Sequence, residues 1–316
     1  MSSAPFRPAT APTLYFIGVT TKQSSIVPIF PKWAGHLDLN NARLVGVDVP
    51  IGASPDTYRD IVRFIKNDPL SKGALITTHK IDLLAASRDL FDELDPYAHL
   101  LGEISCISKQ GEQLVGHAKD AVTGRRALNA FLPDGYWKET GAEVLFLGAG
   151  GATVATTSLL LTAQSDDQPA RITVTDVDPG RIRSIQAVHN RVEHDANVQY
   201  LLVRDAAGND AAMQTLPARS VVINGTGMGK DRPGSPVSDQ AVFPENGYAW
   251  DYNYRGDFLF LKQAEQCRRG VRTVDGWTYF LYGWTSIIAE VFGVAIPEEG
   301  PEFETLSDIA AAYRRR

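Results

Sequence analysis

The sequence has few of the features that would point to several common protein classes. Among its 316 residues there are only two cysteines, Cys106 and Cys267, and they form no CxxC pair. Neither a disulfide framework nor a structural zinc site is supported, so we expect no metal centre and a cytoplasmic setting. No run of about 20 apolar residues could span a bilayer. The first residues lack a basic start and an apolar core, so we predict residues 1–13 as a disordered lead.

An excess of positive charge is also absent. The chain carries 31 Lys and Arg against 37 Asp and Glu, a net charge of −6, and it has no basic stripe with interleaved aromatic residues. This balance argues against a nucleic-acid binder, and we expect neither a nucleic acid nor a membrane as partner. The chain is 44% hydrophobic and long enough for two globular domains with separate cores.

Strand and helix patterns alternate along most of the chain. Strand patterns lie at 14–19, 44–49, 74–77, 113–116, 144–147, 172–175, 200–203, 221–224 and 248–251. Helical patterns lie at 26–37, 56–66, 81–94, 122–131 and 279–292. Such alternation predicts an α/β protein with mostly parallel sheets. We predict a first α/β domain over residues 14–125 and a doubly wound Rossmann domain over 126–276, and the last helix could pack on either one.

The segment VLFLGAGGATVATT at 144–157 predicts a dinucleotide site. Its apolar strand runs into Gly148, Ala149, Gly150, Gly151 and Ala152, and a helical run follows. The first glycine permits a tight turn, and the second removes a side chain where a pyrophosphate would approach the helix N-terminus. The spacing is a GxGGxxxA variant of the dinucleotide fingerprint, and a glycine-rich turn without a ligand is the alternative interpretation.

Asp176 stands at the end of the next predicted strand of this domain. A carboxylate at that place accepts hydrogen bonds from the adenosine ribose hydroxyls of NAD, whereas an arginine would favour the additional phosphate of NADP. We therefore predict NAD as the cofactor in preference to NADP. In the alternative interpretation, Asp176 and Asp178 are only turn residues before Pro179.

A series of segments resembles the shikimate and quinate dehydrogenase family in order and approximate spacing over nearly the whole chain. The segments are GVTTKQSS near the N-terminus, GALITTHK at 73–80, LGEISCI at 101–107, GHAKD at 116–120, GAGGA at 148–152, NGTGMG at 224–229, DYNY at 251–254 and DGWTYFLYGW at 275–284. The resemblance implies a substrate domain completed by the C-terminal helices, here 277–316, with the Rossmann domain between. It also implies hydride transfer between a nicotinamide cofactor and a ring carbinol or ketone carbon.

The resemblance also implies roles for individual residues. The family's catalytic Lys and Asp match Lys80 and Asp120, and a general base must lie within hydrogen-bond reach of the reacting hydroxyl. Without the resemblance, these two residues could instead be local features at the starts of helices. The family's turn near the nicotinamide matches Asn224, Gly225, Thr226, Gly227 and Met228. The resemblance further implies that Ser24, Ser25, Ser105, Tyr254 and Tyr282 contact the substrate.

Several positions depart from the family's pattern. Ser24 retains the first of two carboxylate-binding serines, and Ser25 is adjacent to the second position, which is Ile26. Amide side chains of the family are replaced by Ser105, Ala118 and Gly283. Each ring hydroxyl buried without a partner costs on the order of 1 to 3 kcal/mol, so we expect a substrate other than ordinary shikimate. Candidates for replacement groups are His79, His117, Lys119, Tyr279, Tyr282 and Thr285.

These observations support a leading hypothesis and two alternatives. The leading hypothesis is an NAD-dependent oxidoreductase that acts on a cyclic polyol or hydroxy acid related to shikimate. One alternative is a true shikimate or quinate dehydrogenase with a rearranged pocket. The other is a nucleotide-sensing protein of the same fold without turnover, although retention of Lys80 and Asp120 argues against it. The family contains monomers and dimers, so a homodimer stays an open expectation.

Overall fold

The chain divides into two compact units in the computed structural model, which describes residues 7–39, 41–162, 165–230 and 232–314. The first unit takes in the chain up to Lys119 together with the segment that begins at Gly283, and the second unit is Asp120–Tyr282. The predicted disordered lead, 1–13, lies partly outside the described residues. Within its described part, residues 7–12 form no helix or strand, and Thr13 already begins the first strand.

The first unit is built on a six-stranded mixed sheet with the order β2-β1-β3-β5-β6-β4. Its strands are β1 Thr13–Gly18, β2 Arg43–Asp48, β3 Ser71–Ile76, β4 Glu93–Leu94, β5 Cys106–Gln110 and β6 Gln113–His117. Its helices are α1 Ile26–His36, α2 Pro55–Asn67, α3 Lys80–Ser87, α4 Pro96–Leu101 and, near the end of the chain, α12 Pro301–Ala311. Neighbouring strands are parallel except around β5, which is antiparallel to β3 and β6.

Local sequence explains these elements well. Strand β1 is buried along its whole length, as expected for a central strand that is covered on both faces. Helix α2 begins after Ser54, whose side chain accepts a hydrogen bond from the Thr57 N–H, and Pro55 occupies the first helical turn. The buried positions of α2 recur at helical spacing, so one face of the helix packs inward.

Helices α4 and α12 were not predicted, and two further features of the first unit also differ from the sequence-based prediction. The helix predicted at 81–94 ends at Ser87, whose hydroxyl donates to the Leu83 carbonyl. The chain then forms strand β4, Glu93–Leu94, which pairs with β6. The last part of the predicted helix is therefore a strand, although its apolar residues continue the helical spacing. Strand β5 was not predicted, and its antiparallel direction makes the sheet mixed.

The second unit contains a six-stranded, fully parallel sheet with the order β12-β11-β10-β7-β8-β9. Its strands are β7 Val144–Leu147, β8 Ile172–Asp176, β9 Val198–Leu202, β10 Val221–Asn224, β11 Tyr248–Asp251 and β12 Arg272–Val274. Its helices are α6 Tyr136–Thr140, α7 Gly151–Thr162, α8 Pro179–His189, α9 Ala206–Gln214 and α10 Leu259–Gln266. Helices α5 Lys119–Asn129 and α11 Trp277–Phe292 contain the two unit boundaries.

The strand order of the second unit confirms the predicted Rossmann fold. The chain progresses outward from β7 through β8 to β9, and then returns to the other side of β7 to form β10. Strands β7, β10 and β11 are buried at every residue because helices cover both faces of the sheet. The reversal between β7 and β10 creates the crevice in which ligands of such folds bind.

Gly73 provides a test of the packing in the first sheet. A Cβ atom at this position would lie 2.0 Å from the Ile107 carbonyl oxygen, and the φ angle is +154°. We expect Gly73→Ala to lower the free energy of unfolding by roughly 2 kcal/mol, because a backbone atom cannot move aside cheaply. Gly35→Ala in α1 is the control, since a Cβ there meets nothing within 4 Å. Urea denaturation that shows equal losses for both variants would contradict this packing.

Candidate active site

The topology of the first sheet brings candidate residues to one edge. Strands β1 and β3 are parallel, and β6 runs in the same direction because each of β3 and β6 is antiparallel to β5. Ser24 and Ser25 follow β1, Lys80 follows β3, and Lys119 follows β6. Ser105 precedes β5, which starts at that same edge. These positions, distant in sequence, therefore share one end of the sheet.

A pair of residues before β5 connects the segments that carry the candidate catalytic side chains. The Ile104 N–H donates to the Lys80 carbonyl at 3.4 Å, and the Ser105 N–H donates to the His117 carbonyl at 2.9 Å. The Ser105 hydroxyl accepts a hydrogen bond from the Lys119 N–H at 2.9 Å. The start of α3 and the start of α5 are thus linked through the same two residues. Sequence reasoning missed this structural use of Ser105.

The two serines of the GVTTKQSS segment have different surroundings. Ser24 is 6% exposed, and its hydroxyl lies 3.5 Å from the donating Ile26 N–H. Ser25 is fully buried at the start of α1, and its hydroxyl contacts no hydrogen-bond partner among the described residues. An unsatisfied buried hydroxyl is costly, so Ser25 is the serine with unused bonding capacity at this place.

His79 is a structural residue, although its sequence position suggested a substrate contact. Its Nε2 lies 2.9 Å from the Val49 carbonyl, which can only accept, so Nε2 carries the proton. Its Nδ1 then accepts from the Tyr58 hydroxyl at 2.9 Å. Both ring nitrogens are occupied and the side chain is buried. His79 therefore connects α2 to the strand-end segment instead of offering a group to a ligand.

The glycine turn after β7 has the form expected of a phosphate-binding turn. Gly148 has φ +94°, and a Cβ there would meet Gly225 and Thr226 backbone or side-chain atoms at 3.0–3.1 Å. A Cβ at Gly150 would meet only the Gly225 carbonyl oxygen, at 3.6 Å, so the space in front of this turn is open. Gly151 begins α7, whose N-terminus carries the positive end of the helix dipole.

Asp176 has a structural role in addition to the predicted contact with a ribose. One carboxylate oxygen accepts the Ala149 N–H at 2.7 Å, and the other accepts the Asp178 N–H at 2.9 Å. The side chain is 6% exposed and therefore rigidly held. Each oxygen keeps a further lone pair, so the carboxylate can brace the glycine turn and still accept from two hydroxyls. The half-exposed Arg181 lies 4.0 Å from it.

The turn after β10 lies beside the glycine turn, and its side chains hold its shape. The Asn224 amide oxygen accepts hydrogen bonds from the N–H and the hydroxyl of Thr226, and its nitrogen donates to the Met228 carbonyl. A Cβ at Gly225 would lie 2.5 Å from the Thr153 hydroxyl of α7. That buried hydroxyl has no hydrogen-bond partner among the described residues. A dinucleotide fits this surface, because glycines leave room and a polar atom is unsatisfied.

Asp251 is a strand-end acid that sequence reasoning did not single out. It ends β11 and is 1% exposed. Its Oδ1 accepts the Asn253 N–H, while its Oδ2 contacts no hydrogen-bond partner among the described residues. Burial raises the pKa of Asp251 to about 7, and the Asp275 charge contributes in the same direction. The available signal was its position, because Asp176 likewise ends a buried parallel strand.

The aromatic candidates pack within the second unit. The Tyr254 ring lies 4.4 Å from the Phe280 ring, centroid to centroid, and the Arg255 guanidinium lies 5.9 Å from the same Tyr254 centroid. Tyr282 packs against the hydrophobic core of this unit. At the next position, Gly283, a Cβ atom would meet nothing within 4 Å. Space for a side chain exists where the family carries an amide.

Polar candidates around β6 are engaged with one another. Ala118 is buried and has no polar side-chain group. His117 and Lys119 both contact Glu290 of α11, at 3.5 Å and 2.6 Å. Position 118 therefore supplies no polar side-chain group in place of the family's amide. The side chains on both sides of it, His117 and Lys119, contact the same Glu290 carboxylate.

Comparisons with known proteins agree with this fold, although no family model matches the chain. A shikimate dehydrogenase (NADP(+)) of Streptococcus gordonii is 28% identical over 213 residues, covering 66% of this chain and 68% of the relative. A solved quinate dehydrogenase of Corynebacterium glutamicum in complex with NAD has a TM-score of 0.72 at 20% identity, with coverages of 96% and 99%. A 5-ketofructose reductase of Gluconobacter sp. strain CHM43 has a TM-score of 0.68 at 19% identity, with coverages of 96% and 98%.

The fold and the turns at the strand ends define a doubly wound nucleotide-binding protein with a second α/β unit. The chain is similar to shikimate and quinate dehydrogenases, which are NAD(P)-dependent oxidoreductases that act on CH–OH groups. In the part of the chain that the structure describes, no helix is long and apolar enough to cross a membrane.

The raised pKa of Asp251 gives a pH-dependent stability prediction. In the folded protein this group keeps its proton up to about pH 7, whereas its ordinary pKa is 3.8. Its contribution to stability is complete below the lower value and is lost as the pH rises through the higher one. At about 1.4 kcal/mol per unit, Asp251→Asn should gain roughly 2–3 kcal/mol relative to wild type between pH 5 and pH 7.

Urea denaturation of both proteins at pH 5, 6, 7 and 8 measures this difference. Parallel pH curves for wild type and Asp251→Asn would show that Asp251 is ionised throughout this range and would contradict the prediction.

Proposed function

We propose that this protein is an NAD-dependent oxidoreductase that transfers a hydride between the cofactor and a small cyclic polyol or hydroxy acid other than ordinary shikimate. One observation carries the catalytic part of this proposal. The Ile104–Ser105 pair is hydrogen-bonded both to Lys80 and to the residues that directly precede Asp120. The two residue types that acid–base chemistry requires are therefore carried on backbone segments that are tied together.

In the oxidative direction, a bound nicotinamide cofactor would supply the acceptor for the hydride of the carbinol carbon. The hydroxyl proton must leave as the carbon–oxygen double bond forms, and the neutral Lys80 amine takes it as general base. The family resemblance gives Asp120 the role of the second acid–base residue. In the reverse direction, the Lys80 ammonium returns that proton to the alkoxide oxygen of the product. Both side chains are partly exposed, as groups that meet a substrate must be.

The residues that would hold the cofactor follow from the two turns. The Gly148 and Ala149 N–H groups donate to the Thr175 carbonyl and to Asp176, so the N–H groups of Gly150 and Gly151 at the N-terminus of α7 would bind the pyrophosphate, with no side chain in the way. The turn at Asn224–Met228 would lie beside the nicotinamide ring. Asp176 would accept the adenosine ribose hydroxyls with the lone pairs that its backbone contacts leave.

The proposed preference for NAD rests on the charge of Asp176. The carboxylate is 6% exposed and held by two N–H groups, so it cannot swing away from a phosphate on the ribose. The nearby Arg181 contributes less, because its charge is shared with this carboxylate at 4.0 Å. Relatives of both kinds exist, since the Streptococcus gordonii enzyme is named for NADP(+) and the Corynebacterium glutamicum structure holds NAD.

The proposed departure from shikimate rests on three positions that carry amides in the family. The Ser105 hydroxyl accepts the Lys119 N–H, while Ala118 and Gly283 offer no polar side-chain atom. A ring with hydroxyls at those places would lose its partners on binding. A 5-ketofructose reductase of similar fold supports the idea that substrates beyond shikimate and quinate occur among such structures.

Removal of Lys80 tests the catalytic assignment. We expect Lys80→Met and Asp120→Asn each to lower kcat at least about 100-fold while the Kd for NAD stays within about twofold, because acid–base groups contribute roughly 10²–10⁴-fold. NADH formation measures kcat, and calorimetry measures NAD binding. The control is Lys32→Met, an exposed lysine of α1.

The substrate for that assay comes from a screen of carboxylated and uncarboxylated cyclitols, with shikimate and quinate as references. Efficient turnover of shikimate would overturn the proposed change of substrate and favour the rearranged-pocket alternative. Normal turnover by Lys80→Met would remove this residue from the mechanism. Nucleotide binding without any turnover would favour the nucleotide-sensing alternative.

The cofactor preference has its own test. We expect wild type to bind NAD at least about tenfold more tightly than NADP, and Asp176→Asn to narrow that ratio, because the amide lacks the repelling charge. The control is Asp178→Asn, which alters the N-cap residue of α8 two positions away. Calorimetry with both nucleotides gives the ratios, and tighter binding of NADP by wild type would show that Asp176 does not select NAD.

A further inference from the structure

We propose that Glu290 is a positioning residue that holds Asp120 in place through Lys119 and His117. This set of three side chains, Glu290, Lys119 and His117, is called the clamp below. The inference rests on the proposed function, because it concerns the position of Asp120, one of the two proposed acid–base residues. Glu290 lies outside the segments that carry the family resemblance.

Glu290 is the centre of the clamp. The Lys119 ammonium lies 2.6 Å from its Oε2, and the His117 Nε2 lies 3.5 Å from its Oε1. The Gln110 amide also donates to Oε1, at 3.4 Å. The side chains of Lys119 and Glu290 are only 23% and 22% exposed, so water screens this pair less than an ordinary surface ion pair. Residues far apart in sequence, on α11 and at the end of β6, are joined by one carboxylate.

The histidine of the clamp is itself held by the sheet. Ser108 on β5 lies with its hydroxyl 2.8 Å from the His117 Nε2, and the Asp95 carboxylate lies 3.7 Å from the Nδ1. His117 is 6% exposed, and burial lowers its pKa while Glu290 opposes that change. The ring is therefore confined between β5, the N-cap of α4 and α11.

The backbone of the same segment is held independently of these side chains. Asp95 Oδ2 accepts the Ala118 N–H at 3.2 Å, and the Ser105 hydroxyl accepts the Lys119 N–H at 2.9 Å. Each residue from His117 to Lys119 is thus attached to the first unit by at least one polar contact. Asp120 is the next residue along the chain, so its main chain starts from a position with little freedom.

We expect this attachment of residues 117–119 to affect kcat more than the free energy of unfolding. Burial raises the pKa of Glu290, but the hydrogen bond and the charge of Lys119 outweigh burial, so the net shift is downward and the carboxylate is ionised. An ionised carboxylate fixes the Lys119 side chain and with it the first turn of α5. A displacement of about 1 Å in a catalytic group costs up to about 100-fold in rate, so loss of the clamp should appear in kcat.

Glu290→Gln tests the clamp, because the amide keeps the size of the side chain and removes its charge. We expect kcat for NADH formation to fall roughly tenfold, with the KM for NAD unchanged within about twofold. Amide hydrogen exchange of residues 118–120, followed by NMR, should accelerate in the same variant. Glu290→Asp, which keeps the charge, should retain more activity than Glu290→Gln.

The matched control is Glu143→Gln, which breaks the Arg171–Glu143 ion pair at the amino end of β7. That pair has the same 2.6 Å separation and similar exposures of 27% and 16%. A general loss of stability should be alike in both variants, whereas the loss of kcat and the faster exchange at 118–120 should occur only in Glu290→Gln.

Equal kcat values for the two variants, or unchanged exchange at 118–120 in Glu290→Gln, would overturn the clamp. If the wild-type protein shows no turnover with any substrate, the proposed function fails and the catalytic role of the clamp fails with it. In that event, faster exchange in Glu290→Gln would still support the attachment of the backbone, so the two failures are distinguishable.

Discussion

Hydrogen bonding between parallel strands is the constraint on which the candidate site depends. Strands β7, β8 and β10 pair in parallel, so all three end at the same edge of the sheet. The segments that follow these strands are brought together because each chain must turn there. Gly148, Asp176 and Asn224 meet in this way although they are far apart in sequence. In the first sheet, Lys80 and Lys119 lie at one edge for the same reason, because β3 and β6 run in the same direction. Strand β5 between them is antiparallel to both.

Polar groups at these edges serve the fold and the chemistry at the same time. Asp176 braces the glycine turn through the Ala149 N–H and still keeps lone pairs for a ligand. The Ser105 hydroxyl is used by the fold, because it accepts the Lys119 N–H. It stands where the family carries a longer amide side chain. A pocket built this way is preorganised, because its polar groups are already oriented before a ligand arrives.

Much of the fold could be predicted from local patterns, and the failures have identifiable causes. The apolar runs at 144–147, 221–223 and 248–250 lie in buried parallel strands, because strands covered on both faces are predominantly apolar. The helix predicted at 81–94 was too long, since the spacing of its apolar residues suits a helix as well as a strand paired with β6. Strand β5 was missed because its short run carries Ser108 and Lys109 among apolar residues.

The sequence by itself determined many of the elements, the glycines of the turn and the acid at the end of the next strand, because these are properties of short segments in which residue type and periodicity act directly. The roles proposed for Lys80 and Asp120 come from the family resemblance. Only the tertiary structure decided which partners those groups have. It occupied both nitrogens of His79, buried Asp251 without a partner for one oxygen, and placed Glu290 beside Lys119. Such pairings join residues that are far apart in sequence and come together only when the chain folds around the sheets. No local pattern can predict them.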